Sequence, residues 1–290
     1  MIPVGSHGGD GARLAAALGV DPAAVLDLSA SLNPVAPDAG EVVGKHLDAV
    51  LRYPDPARAT AALAAAMGID PERLLLTNGG AEAIALVAAE LGGRVEEPDF
   101  GLYPRTGGPL WRSNPHNPTG RLAQGDADVW DEAFYPLATG RWTRHDNLVV
   151  GSLTKLLACP GLRIGYVLAD ASFIRRLRQP AWSVNGLAAA ALPDLLETVD
   201  LPGWATAVAA LRRRLVDVLC GAGFVPEPSD ANFVLLRAPG LRARLAPHGV
   251  LVRDCASFGL ADHVRIAVPD AAGLARLEEA LLKEAPCAAG

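Results

Sequence analysis

Short apolar runs bounded by glycine, proline or polar turns alternate along this chain with longer stretches whose apolar residues recur at helical spacing. Leu74-Leu75-Leu76-Thr77, Asn147 to Leu153 and Ile164 to Ala169 are nearly continuous apolar runs, the pattern of strands covered on both faces. Val25 to Ser29, Gly93 to Glu97 and Val129 to Phe134 read as shorter strands. Helical spacing predicts helices over Gly11 to Leu18, about Ala57 to Met67, Asn78 to about Leu91, an Ala/Leu-rich stretch after Asn185, and about Trp204 to Cys220. Beyond Gly221 the rhythm shortens. Strands are predicted at Asn232–Arg237, Val250–Arg253 and His263–Val268, with helices at Leu241–Leu245 and Ala272–Glu284. Strands interleaved with helices predict an α/β protein. A large unit followed by a smaller C-terminal one is the natural division of 290 residues.

Composition narrows the class of function. Half the residues are apolar and the formal net charge is −6, so no basic surface recommends nucleic acid or an anionic membrane as a partner. Any anionic ligand must be met by arginines placed locally. The four cysteines, Cys159, Cys220, Cys255 and Cys287, show neither CxxC nor metal-ligand spacing, which predicts reduced thiols, no metal site and a cytoplasmic setting. Met1 to Asp10 does not read as a signal peptide, and no apolar run approaches the ~20 residues of a membrane span. Arg212-Arg213-Arg214 reads as a solvated helix face.

Chemistry concentrates where the strand Asn147 to Leu153 ends. Ser152, Thr154 and Lys155 follow it closely, and Arg163 comes after Pro160-Gly161-Leu162. A lysine can condense with an aldehyde, and hydroxyls with an arginine can grip a phosphate, the set needed to hold a phosphorylated aldehyde covalently. Gly79-Gly80 at a strand-to-helix turn lets backbone N–H groups approach a phosphate at the positive helix end.

Ser152-x-x-Lys155 with Arg163, preceded by His116-Asn117-Pro118-Thr119-Gly120 and Asp131-Glu132-Ala133-Phe134, resembles the fold-type I pyridoxal-phosphate (PLP) enzymes of the class I/II aminotransferase family. The N-terminal His7-Gly8-Gly9 and the segment Leu26-Asp27-x-Ser29-Ala30-x-x-Asn33-Pro34 resemble the threonine-phosphate decarboxylases of cobalamin biosynthesis, relatives of the histidinol-phosphate aminotransferases. The resemblance implies an N-terminal arm and substrate-lining segment over 1–34, a large PLP-binding domain over 35–200 and a small C-terminal α/β domain over 201–290. It implies that Lys155 carries PLP and Asp131 pairs with the pyridine nitrogen. Asn117 would meet the ring O3′ oxygen, and Tyr103 would stack on the ring with Phe100 behind it. Gly79, Gly80, Ser152 and Arg163 would hold the phosphate, together with Tyr53 from the other subunit of a homodimer. His7, Asn33, Asn185, Arg253 and Arg265 would contact the substrate.

The chain departs from that family in two places. Only Pro104 to Ser113 separate the aromatic segment from the Asn117 motif, where relatives carry an extra strand and helix. About ten residues, Arg121 to Trp130, precede Asp131 where relatives place a full helix. The resemblance therefore implies a mostly parallel sheet reduced by an edge strand, which can be lost without interrupting pairing inside the sheet. Both shortened links still sit near the dozen residues that a parallel crossover needs. Decarboxylation of threonine phosphate and transamination of a histidinol-phosphate type share these motifs. A degenerate, non-catalytic PLP-binding protein is the alternative from another class, against which the joint presence of Lys155, Asp131, Asn117 and Arg163 argues.

Overall fold

A computed structural model describes residues 7–144 and 148–284. Asn147, which opens the predicted central strand, and Cys287 lie outside the described residues. Among those described there are nine strands: β1 (Leu26–Leu28), β2 (Leu74–Asn78), β3 (Trp111–Ser113), β4 (Val129–Asp131), β5 (Leu148–Ser152), β6 (Ile164–Leu168), β7 (Phe233–Arg237), β8 (Val250–Asp254) and β9 (His263–Ala267). They form a five-stranded sheet in the order β2-β6-β5-β4-β3 and a four-stranded sheet in the order β1-β8-β9-β7.

In the larger sheet β3, β4 and β5 pair in parallel, while β6 is antiparallel to both β5 and β2. Four strands thus run one way and β6 alone runs back. Alternation fills both faces. Trp130, Val149, Tyr166 and Leu168 join one core cluster with Leu63 and Leu192 from the covering helices Ala57–Met67 and Gly186–Glu197. Val129, Val150 and Val167 point the other way, against Ile84 and Val87 of the helix Gly79–Leu91 and against Trp111. Each such side chain contributes roughly 1.5–3 kcal/mol on full burial. That two-sided cover explains why these strands read as unbroken apolar runs.

Three expectations need correction. Gly93 to Glu97 is no strand: only Gly93 and Arg94 form isolated bridges, to Gly107 and Leu110. The sheet's edge is instead β3, inside the segment that had read only as a shortened link. The β4 strand stops at Asp131 because that carboxylate turns back and accepts the Ala133 N–H at 2.9 Å, which favours a turn over further pairing. Arg212 is not part of a uniformly solvated face, since it folds inward and donates to the Asp230 and Ala231 carbonyls at 2.8 and 2.9 Å.

The smaller sheet packs on the helices Leu201–Gly221 and Ala271–Glu284 through Leu215, Leu219, Leu274, Leu277 and Leu281. β1 belongs to this sheet, pairing in parallel with β8 so that Leu28 lies opposite Val252. The N-terminal segment thereby bridges the two sheets. Asn33 N–H donates to the Lys155 carbonyl at 2.9 Å, and the Asn232 amide at the entrance to β7 donates to the Ser31 carbonyl at 2.7 Å.

Candidate active site

A cavity of ≈ 390 Å³ opens where the C-terminal ends of β4 and β5 meet β1, β8 and β9, the edge at which open α/β sheets bind ligands. A larger concavity of ≈ 700 Å³ lies elsewhere, among Phe224, Leu241, Arg244 and Leu282. The smaller cavity is the candidate because the groups singled out in the sequence converge on it.

One end is a narrow oxyanion-sized cradle. Gly79 takes φ +78° and a Cβ there would collide with the Arg163 guanidinium. A Cβ on Gly80 would sit 3.1 Å from Ser152 Cβ. Thr77, fully buried, fixes the turn by donating its hydroxyl to the Gly79 carbonyl at 3.0 Å. Arg163 itself holds a left-handed backbone at φ +55°. Glycines here allow the N-terminus of the helix Gly79–Leu91 to approach a bound group closely.

Lys155 stands on the turn after β5, its Nζ donating to the Ala30 carbonyl at 2.7 Å. Burial, with Arg265 and Arg163 nearby, pushes its ammonium pKa down to about 8. Asp131 ends β4 on the cavity wall. Burial pushes its carboxyl up, and hydrogen bonds from the Ala133 N–H and the Tyr103 hydroxyl (2.7 Å) oppose that shift. Asn117 is held by its N–H to Ser113 Oγ at 2.8 Å, and its Oδ1 accepts from Arg265 Nη1. The amide nitrogen of Asn117 is left as the donor. The Ser113 hydroxyl donates in turn to buried Asp99 at 3.2 Å, whose pKa burial raises to about 7.

The other end is cationic. Arg253 on β8 and Arg265 on β9 are opposite partners across the antiparallel pair, and only 3% and 7% exposed. Arg253 donates to Ser257 Oγ at 2.9 Å, while Arg265 Nε is buried without a hydrogen-bond partner and its guanidinium lies 4.4 Å from the Phe233 ring centroid. Burial pushes Arg265 down to about 10, with Arg253 adding to the effect. His7 lines the same end, edge-on to Phe100 with centroids 5.8 Å apart. Its pKa falls through burial and then through Arg253.

Ten of the residues singled out in the sequence, His7, Gly80, Asn117, Asp131, Ser152, Lys155, Arg163, Arg253, Arg265 and, through its contact with Arg163, Gly79, are thus brought together. Four are placed differently. Tyr103 does not face the cavity: it is 4% exposed, lies beneath Asp131 and stacks on Trp111 at 5.7 Å, while Phe100 takes the wall. Asn33 is buried, with its amide donating to the Leu156 carbonyl at 2.9 Å, and so braces the turn that carries Lys155. Asn185 is exposed and caps the helix Gly186–Glu197 by accepting the Ala188 N–H at 3.1 Å. Tyr53 is 79% exposed and stacks on Trp182 at 4.7 Å, away from this cavity. Phe134, read in sequence as part of the Asp131 motif, lines the cavity too. Sequence reasoning gave no site role to Ser29 or Phe258, which also line it, and of these only Ser29 carried a signal, inside the N-terminal motif.

The family model for class I and II aminotransferases matches residues 127–281. The chain is 31% identical over 350 aligned positions to the threonine-phosphate decarboxylase of Salmonella typhimurium, with 95% of each chain covered. An alignment longer than this chain's 290 residues requires gaps in it, as the shortened links do. The fold matches the L-threonine-O-3-phosphate decarboxylase of Porphyromonas gingivalis with TM-score 0.73 and 22% identity, covering 90% of this chain and 99% of the other. It matches the histidinol-phosphate aminotransferase of Sinorhizobium meliloti, solved with pyridoxal-5′-phosphate, with TM-score 0.77 and 18% identity over 94% and 95% of the two chains.

These are the marks of a fold-type I PLP-dependent enzyme. The chain belongs to the class I and II aminotransferase family. The residues present fit the cofactor: the cradle is one that any Cβ would fill, and a lysine with a lowered pKa and a buried carboxylate lie on the same cavity. Among the described residues no helix is long and apolar enough to cross a membrane, and no cluster of His, Cys, Asp or Glu could hold a metal ion.

Proposed function

We propose that this enzyme acts on a phosphorylated amino acid and that its reaction is decarboxylation of L-threonine O-3-phosphate, as in cobalamin biosynthesis. The observation that carries the reading is the pair of buried, mutually opposed arginines, Arg253 and Arg265, on the Lys155 cavity of a net-acidic chain. Two guanidinium groups on the wall of one cavity can each form charge-assisted hydrogen bonds with an anion. A substrate with a carboxylate at one end and a phosphate at the other supplies two.

In this reading Lys155 would hold the cofactor covalently, and the Gly79-Gly80 turn, Ser152 and Arg163 would take its phosphate. Asp131, to which Tyr103 donates, would meet the pyridine nitrogen. Asn117, whose Oδ1 is engaged by Arg265, would offer its amide nitrogen to the ring oxygen. Phe134, where transaminase relatives read tyrosine, offers no donor beside it. PLP supplies an electron sink for a bond broken at the substrate α-carbon. The protein's part is to choose that bond and to move the proton. Arg265 grips the α-carboxylate; Arg253 and His7 grip the phosphate. Lys155, with its pKa near 8, is suited to carry a proton near neutrality. Arg265, Arg253 and His7 would between them decide which bond at the α-carbon is presented for cleavage: loss of CO₂ is the first reading, and loss of the α-hydrogen, leading to transamination of a histidinol-phosphate type, is the second.

The active form in this reading is a homodimer. Leu47, Val50, Leu51, Tyr53 and Trp182 are 58–82% exposed, an apolar surface that a second copy would cover while Tyr53 reaches the other subunit's cofactor phosphate. The test of function is product analysis with O-phosphothreonine, with and without a keto-acid acceptor. Aminopropanol phosphate and CO₂ formed without the acceptor are expected. Turnover that requires the acceptor would hand the reaction to the aminotransferase reading. An active monomer in light scattering, or failure of Tyr53→Phe and Lys155→Ala subunits to complement in mixed dimers, would remove the role of Tyr53 in trans.

A further inference from the structure

The N-terminal arm is tied to β1 by a compact set of polar contacts. Gly9 N–H donates to Ser29 Oγ at 2.8 Å, and Gly11 N–H donates to Asp27 Oδ2 at 2.9 Å. The Ser29 N–H donates to Asp27 Oδ1 at 2.9 Å, and the Ser29 hydroxyl donates to the same oxygen. One carboxylate thus gathers the arm directly through Gly11 and indirectly through Ser29 and Gly9. Gly8 closes the fit, because a Cβ there would collide with the Ser29 carbonyl oxygen. Ser29 is 1% exposed, so its hydroxyl does not exchange these partners for bulk water.

The consequence falls on His7. Leu28 and Val252 are partners across the parallel pair β1 and β8, so the residues that follow them, Ser29 and Arg253, lie at the same end of that pair. An arm fixed to Ser29 is therefore fixed relative to Arg253, and His7, Ser29 and Arg253 line the cavity together. We propose that the Asp27–Ser29 pair is a latch for the arm, and that Ser29 acts through it as a positioning residue, making His7 a discriminating contact for substrates that carry a second anionic group. The proposal rests on the reading of Arg253 and His7 as ligands of the phosphate end. Asp27 also acts on the Lys155 ammonium, stabilising it. Ser29→Ala is thus the cleaner probe, since it opens the latch and keeps the carboxylate.

The experiment uses the PLP-loaded enzyme, inorganic phosphate as a competitive inhibitor, and amide hydrogen exchange at Gly9 and Gly11. Loss of a neutral hydrogen bond corresponds to about a threefold to tenfold change. Ser29→Ala, and independently Gly8→Ala, should speed exchange and weaken phosphate inhibition by about that factor. In a His7→Ala background Ser29→Ala should add less than about a twofold change, because the residue through which it works is gone. A full additive loss in that background would mean that Ser29 touches the phosphate itself, and would overturn the positioning role. Unchanged inhibition in both Ser29→Ala and Gly8→Ala, with His7→Ala weakened, would overturn the latch and leave the phosphate reading standing. Inhibition indifferent to His7→Ala would remove the phosphate reading, and the proposal with it.

Discussion

The two sheets build opposite kinds of wall around one cavity. On the larger sheet each charge is answered inside the protein. Asp131 accepts from Tyr103 and Ala133, and Lys155 donates to Ala30. On the smaller sheet Arg253 and Arg265 sit directly opposite one another, a like-charge arrangement that opposes pairing, and Arg265 Nε has no hydrogen-bond partner. The first wall is finished without ligand, as a site that must hold one cofactor in one orientation should be. The second gathers two buried cations and leaves Arg265 Nε without a hydrogen-bond partner, which suits a ligand that brings anionic groups. Satisfied polar networks confer rigidity; clustered buried cations favour an anionic partner.

The comparison breaks most sharply at Lys155. Lys155→Ala should abolish the visible absorbance of lysine-bound PLP and lower turnover by at least the 10²- to 10⁴-fold typical of a lost acid–base group. The circular dichroism spectrum should stay native, because the Ala30 carbonyl left behind can be hydrated from the cavity. Borohydride trapping of a PLP adduct in this variant would show that another lysine serves.

Next come the two arginines, whose loss should reveal different specificities. Charge-assisted pairs contribute about 1.5–3 kcal/mol, so each alanine variant should lose roughly tenfold to a hundredfold in kcat/KM. Arg265→Ala should weaken phosphorylated and unphosphorylated amino acids alike, whereas Arg253→Ala should penalise O-phosphothreonine far more than threonine. Equal losses for the two substrates in Arg253→Ala would dissolve the contrast between a carboxylate end and a phosphate end.

The finished wall was also the more legible one in the sequence. Asp131 and Ser152 end apolar runs that must be buried strands, Lys155 follows one and Arg163 stands just before another, so strand ends and hydroxyl, amine, carboxylate and guanidinium chemistry coincide. The paired strands β7, β8 and β9 were legible for the same reason, down to the arginines that interrupt them. Three things were not. β3 is a strand of three residues whose Trp111 and Ser113 are buried while Arg112 is not, too short for periodicity to declare itself. Gly93 to Glu97 carries a strand-like pattern but makes only two bridges, a shortfall that belongs to tertiary pairing. Which aromatic of Phe100 and Tyr103 faces the cavity depends on where Asp131 presents an acceptor. The Tyr103 hydroxyl follows that acceptor into the core, where a phenol needs a partner and a phenyl ring does not.

That placement makes a prediction of its own, smaller than the arginine effects. Tyr103→Phe removes one donor from Asp131 and keeps the ring that packs on Trp111, so the fold should persist. Loss of one hydrogen bond to a buried carboxylate should lower kcat by about tenfold, with KM little changed. Phe100→Ala should do the reverse, weakening cofactor retention through the lost wall. If instead Tyr103→Phe releases PLP and Phe100→Ala does not, the tyrosine is the ring-stacking residue after all.

The smallest effect sharpens how the two walls speak to each other, and it concerns pH. An amine must be neutral to attack an aldehyde, so capture of PLP by the apoprotein should rise with pH and level off above the pKa of Lys155. With that pKa at about 8, roughly one lysine in ten is neutral at pH 7, against roughly one in a few thousand for an unperturbed side chain. Burial is the larger cause, and Arg265, standing on the opposite wall, is the next. Removing that cation relieves repulsion on the ammonium, so the pKa must rise and the capture profile must move to higher pH. Arg265→Gln is the variant to use, because replacing Arg163 would also remove a proposed ligand of the cofactor phosphate. The rate of appearance of lysine-bound absorbance, followed across pH 6–10, reads this directly and needs no substrate. A profile unmoved in Arg265→Gln would mean that the two walls do not communicate electrostatically, and that burial alone prepares the lysine.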